Sequence, residues 1–214
     1  MGRVWRRPTS CSALSDRIDA RTQRSGVVEA IHPASVTAVL GDITHSWGEQ
    51  DRPFFMRSAA KPLQALVSQE AGASLSPREL AVACASHNGE PAHVAMVGSM
   101  LAASDLDESA LLCPPAWPSY LPEQRRLAAA GVTEPSAVYH NCSGKHAAML
   151  RACVANGWPL SYTDPEHPLQ VRVRDLIGEV VGPGTTPTGV DGCGVPTFRV
   201  TVGGLAGAYV AVAN

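Results

Sequence analysis

The chain has 214 residues, 45% of them apolar and 17% charged, with a formal net charge of −2, which is enough sequence for one sizeable core. So small a charge gives no general field to attract nucleic acid or an anionic membrane, and no basic run interleaved with aromatics follows the N-terminal segment, which excludes polyanion binding as the main function. No stretch reaches the roughly 18 uninterrupted apolar residues of a membrane-spanning helix, and the opening segment lacks the apolar middle of a secretory signal, so the sequence reads as cytoplasmic.

Residues 1–24 hold six arginines and little apolar periodicity, the pattern of a disordered N-terminal extension. From Gly26 the segment VVEAIHPASVTAVL carries two β-branched runs broken at His32-Pro33, and GDITHSW follows after Gly41-Asp42; this predicts two or three antiparallel strands. In RSAAKPLQALVSQEAGA, Leu63, Leu66 and Val67 fall at helical spacing and Gly72 marks a stop. Ser76, Pro77 and Glu79 spell a capped helix start leading into AVACASH. A second helix is expected over about Pro91–Ala103, then an irregular connection through Pro114, Pro115, Pro118 and Pro122. SGKHAAMLRACVANG reads as a helix closed by Gly157, HPLQVRVRDLIGEVVG as another, and PGTTPTGVDGCGVPTF as a loop. Val202–Ala213 fits a helix or a strand.

Six cysteines, at 11, 84, 113, 142, 153 and 193, lack the dense spacing of a disulfide-stapled domain, so reduced thiols are expected. Of the 17 basic residues only Lys61 and Lys145 are lysines; the other 15 are arginines. Arginine stays protonated, whereas a buried lysine can lose its proton and act as a base or a ligand.

Three segments could carry chemistry. In Arg57-Ser58-Ala59-Ala60-Lys61-Pro62, the serine and lysine stand three apart, on one face of a helix. A desolvated, neutral lysine can take the serine's proton; the plainer reading is a helix start with a solvated lysine. The residue before a proline is biased away from helix, an objection that lapses if Pro62 lies in the first turn. Ala85-Ser86-His87-Asn88-Gly89-Glu90 follows a buried apolar run; its plainer reading is a helix-to-loop junction with a solvated histidine. His140-Asn141-Cys142-Ser143-Gly144-Lys145-His146 and the separate turn Asp191-Gly192-Cys193-Gly194 together suggest a metal held by cysteines and histidines. Burial of the cysteines as small apolar residues is the alternative. SGK is not a phosphate loop, since the longer glycine-rich pattern is absent.

Taken together, RSAAKP, ASHNGEPAH, NCSGKHAAML and GVDGCGVPTF, in this order and at these separations, resemble the signature of the asparaginase II family, the bacterial type with a serine–lysine centre. The resemblance covers roughly Gly26 to the C-terminus and implies a partial asparaginase II domain over 25–214. It implies an α/β (α+β) fold similar to serine β-lactamases, penicillin-binding proteins and glutaminases, an antiparallel sheet with a helical region. It implies hydrolysis of the side-chain amide of L-asparagine, with Ser58 as nucleophile, Lys61 as general base and Ser86 in proton transfer. Arg57, His146 and Asp191 would hold the charged ends of the amino acid, and Cys142, Lys145 and Cys193 would bind Zn2+. A homodimer is also expected. Family members continue further, where closing strands and a lysine partner for the second serine would lie, so the resemblance implies missing C-terminal strands and low solubility. Two rival readings are an inactive zinc-binding fragment and a penicillin-recognising serine hydrolase.

Overall fold

Ile18–Arg24 (β1) and Val27–Ala34 (β2) pair antiparallel around a Ser25-Gly26 turn in which both residues take positive φ, 52° and 81°. These contacts come from a computed structural model that describes residues 18–182 and 187–213. The expected extension over 1–24 therefore needs a new boundary: residues 1–17 lie outside the described residues, and the remainder is strand. β2 also runs through His32-Pro33, where a break was expected, because Pro33 faces Asp19 on a two-stranded ribbon and its missing N–H can point away from the partner. The real break is Ser35. Val36–Leu40 (β3) and Ile43–Trp47 (β4) then form a second hairpin through Gly41, with φ 57°.

The short strand Phe54–Phe55 (β5) precedes a 3-10 turn over Arg57–Ala60 and the helix Lys61–Ser68 (α1). Pro62 sits in the first turn of α1, so its lack of an N–H removes no intrahelical bond and the objection to helical geometry lapses. A π-helical turn, Gln69–Ala73, ends where Gly72 takes φ 87°. Pro77–Cys84 (α2) starts with the expected capping box: Ser76 accepts from Glu79 N–H, and the Glu79 carboxylate accepts from Ser76 N–H at 2.7 Å. Pro91–Ala102 (α3), Leu121–Ala129 (α4), Ser143–Asn156 (α5) and Pro168–Val181 (α6) follow. Pro187–Val190 (β6) and Pro196–Val200 (β7) pair antiparallel inside the segment read as a loop, and Val202–Ala213 (α7) is helical.

The chain divides into two compact units. Among the described residues, one comprises 18–56, 177–182 and 199–213; the other comprises 57–176 and 187–198. In the first, β5 pairs with the 199–200 end of β7, and α7 packs against β3. A cavity of about 810 Å3 lies there, lined by Ile18, Pro33, Phe54 and Val202 among others, with the charged Glu49 and Arg52 also in its lining. In the second, α5 is the central helix, packed by α1, α2 and α3. Ala147, Ala148, Met149, Leu150, Ala152 and Cys153 on it are fully buried, with burial of Leu150 or Met149 alone worth about 1.5–3 kcal/mol. The architecture is mixed α/β, with small antiparallel sheets and a helical core. No helix among the described residues is long and apolar enough to cross a membrane.

Candidate active site

The predicted site residues all fall in the helical unit, on the start of α1, the loop after α2, the first turn of α5 and the turn before β7. α1 places Lys61 at the base of the unit, 1% exposed. Its Nζ contacts Ser86 Oγ at 2.7 Å, Ala85 O at 3.0 Å and Asn141 O at 3.1 Å. Carbonyl oxygens can only accept, so they take two N–H bonds. The Ser86 hydroxyl takes the third contact, accepting from the ammonium or donating to the neutral amine. Burial lowers the pKa of Lys61 from its ordinary value, opposed by the nearby Cys142 thiol and assisted by Lys145. Burial thus favours the uncharged amine over the ammonium relative to water.

Ser58 is exposed, and its side chain makes no hydrogen bond among the described residues. The i, i+3 spacing therefore does not yield a hydrogen bond between Ser58 and Lys61, although Arg57–Ala60 is a 3-10 turn leading into α1. Arg57, immediately before it, has φ 51°, a left-handed conformation that stores roughly 1–3 kcal/mol of strain in a residue with a side chain. It is tied down by Asp191, whose Oδ1 lies 2.6 Å from Arg57 Nε and also accepts from Gly192 N–H at 2.9 Å. Sequence reasoning placed Arg57 and Asp191 together on a ligand; the structure places them on each other.

Cys142, Lys145 and Cys193 converge in the interior, 5%, 2% and 1% exposed. A hydrogen bond between the thiols, together with burial, raises Cys142, while the same bond, helped by His146 and Lys145, lowers Cys193. The Lys145 amine stands beside the pair and donates to Gln64 Oε1 at 3.1 Å. His146 is fully buried; Nδ1 lies 2.8 Å from Tyr162 OH, and Nε2 makes no hydrogen bond among the described residues although Cys193 offsets the effect of burial on the ring. Among the described residues no three of histidine, cysteine, aspartate and glutamate are placed to hold a metal. A donor set here has to include Lys145. Two thiols, an amine and an imidazole nitrogen without a hydrogen bond among the described residues suit a borderline-soft cation in chemistry. All five described cysteines are free; Cys11 lies outside the described residues.

Several contributors escaped the sequence. Gln64 and the carbonyls of Ala85 and Asn141 act through groups that any sequence contains, and no spacing rule marks them. His87 is 3% exposed, not solvated, and burial with the nearby His93, Lys61 and His140 pushes its pKa down to about 4. Tyr162 was detectable only as a large residue that buries its hydroxyl, which accepts from Leu112 N–H at 2.8 Å.

Against known proteins, the family model described as L-asparaginase II matches residues 20–214. No curated protein matches the chain.

Proposed function

The chain belongs to the L-asparaginase II family, and on that premise we propose that it hydrolyses the side-chain amide of L-asparagine to aspartate and ammonia through a serine nucleophile and a lysine base. The observation that carries this reading is the Lys61 environment: the carbonyls of Ala85 and Asn141 accept from its buried Nζ, and the Ser86 hydroxyl stands 2.7 Å from the same atom. Ser58 Oγ attacks the amide carbonyl carbon and its proton passes to Lys61 Nζ. The backbone N–H of Ser58 is the natural donor to the oxyanion. Lys61 then returns the proton through Ser86 to the amide nitrogen, the C–N bond breaks and ammonia leaves. Water, deprotonated by the same lysine, cleaves the ester and restores Ser58. Arg57 would take the substrate carboxylate and Asp191 its ammonium, each exchanging the other for the zwitterion. His146, fully buried against Tyr162, would be the third residue of that set by family resemblance.

Zn2+ would be held by Cys142, Lys145 and Cys193. When bound it would supply a fixed positive centre that orders the pocket and substrate. Lys145 must give up a proton to ligate, which explains why arginine does not stand there. The position of the serine–lysine pair beside a helical core supports kinship with the serine β-lactamase fold, and family likeness suggests a homodimer.

A second reading makes Ser86 the nucleophile, favoured by its 2.7 Å contact with Lys61. Ammonia release from L-asparagine by the wild type, Ser58→Ala and Ser86→Ala, with mass mapping of the serine labelled by an electrophilic asparagine analogue, separates the two. Label on Ser58 supports the first reading; label on Ser86 supports the second. No label and no ammonia from folded protein, with one equivalent of zinc bound, would favour a non-catalytic zinc protein. Acylation by a fluorescent penicillin would favour a penicillin-recognising hydrolase.

A further inference from the structure

The two carbonyls that grip Lys61 come from different segments, Ala85 in the loop after α2 and Asn141 just before α5. Their separation sets where Nζ sits, and His87 bonds to both sides. Its backbone N–H donates to Asn141 O at 3.2 Å, the oxygen that also accepts from Lys61. Its ring reaches the same side again. Gly89 N–H donates to Nδ1 at 3.2 Å, which puts the ring proton on Nε2, and Nε2 lies 2.9 Å from Ser143 Oγ. The Ser143 hydroxyl donates to Val138 O at 2.8 Å, so its oxygen remains to accept from Nε2–H. Both ring nitrogens are thus occupied in one tautomer, and the residue is 3% exposed. Ser143 opens α5, two residues after Asn141 and one after Cys142.

We propose that His87 is a positioning residue for amide hydrolysis: through Ser143 and Asn141 it locks the loop carrying Ala85 and Ser86 to the first turn of α5, and so fixes Lys61 against Ser86. With both nitrogens engaged inside the protein, the ring has no free lone pair for a substrate proton, and it acts only through the groups it holds. Without the clamp, the Asn141 carbonyl and the Ser86 hydroxyl move independently and the lysine loses its fixed geometry. Misplacement by about 1 Å costs on the order of a hundredfold in rate. The inference rests on Lys61 being the base.

Four single variants of the full chain, His87→Ala, His87→Gln, Ser143→Ala and Lys61→Met, and the double variant His87→Ala/Ser143→Ala test it, each confirmed folded by thermal denaturation before kcat and KM for L-asparagine are measured. His87→Ala and Ser143→Ala are expected to lower kcat at least about tenfold with KM within about twofold, and the double variant to fall no further than the worse single one. His87→Gln keeps an acceptor and a donor on neighbouring atoms and should recover most of the loss. If His87→Ala does not fold, Ser143→Ala decides, since it removes a hydroxyl and leaves the ring. A kcat within about twofold of wild type in both, or a glutamine no better than alanine, overturns the proposal. Activity retained by Lys61→Met would instead remove the base assignment beneath it.

Discussion

Lys61 Nζ and Ser86 Oγ stand 2.7 Å apart, while Ser58, which shares the lysine's segment, has no side-chain bond among the described residues. The contact places Lys61 within proton-exchange distance of Ser86, and in the proposed mechanism the neutral amine is the active form. Lys61→Arg should be as damaging as Lys61→Met, each lowering kcat by about 10²–10⁴, because a guanidinium fills the space but keeps its proton. In the wild type, kcat/KM should rise with pH on a limb whose midpoint lies below the ordinary lysine value, since burial favours the uncharged amine. A pH–rate profile lacking that limb would count against the assignment.

Arg57 and Asp191 satisfy one another at 2.6 Å. Asp191→Asn should raise KM for L-asparagine by about 1.5–3 kcal/mol in binding terms, roughly tenfold to a hundredfold, by removing a charged partner for the ammonium. Steady-state kinetics with succinamic acid, which lacks the ammonium, provide the check: the variant and wild type should then behave alike.

Metal content is predicted to follow the two thiols. Cys142→Ser and Cys193→Ser should each weaken zinc binding by at least about a hundredfold, measured by competition with a chromophoric chelator on reduced protein. Retention of one tight equivalent by both variants would move the ion elsewhere.

Acid should weaken the fold through His87. Its pKa is about 4 in the folded chain against an ordinary 6.5, so the unfolded chain binds the proton first. Stability is full above about pH 6.5 and is lost as pH falls towards 4. His140 and His146 are lowered as well and act with the same sign. Denaturant midpoints measured from pH 7 to pH 4 should fall, and fall less steeply in His87→Gln.

Gly144→Ala tests helix packing. A Cβ there would meet Val82 O at 2.6 Å and Val82 Cγ1 at 2.7 Å, so α5 would have to move off α2. A loss of about 1–3 kcal/mol is expected from calorimetry.

Much of this was legible beforehand. The capping box at Ser76 and Glu79, the stop at Gly72 and the cap at Gly157 are local chemistry written within a few residues, and they stand where expected. β1 and the β6–β7 hairpin were missed because strand formation depends on a partner, and arginine- or glycine-rich segments show no periodicity of their own. At the site, lysine scarcity singled out both buried lysines, yet the contact between Ser86 and Lys61 spans 25 positions and cannot be read from spacing. The serine–lysine interval, which can be read, did not yield a bond.

The burial of both lysines, 1% and 2% exposed, reaches beyond catalysis. On the folded chain, amine-seeking esters and aldehydes meet arginine guanidiniums everywhere and no lysine ammonium at all. Acylation of Lys61 or Lys145 therefore requires the helical unit to open, so the rate at which those two positions are tagged reads out breathing of the core itself, and a ligand that closes the site should slow it.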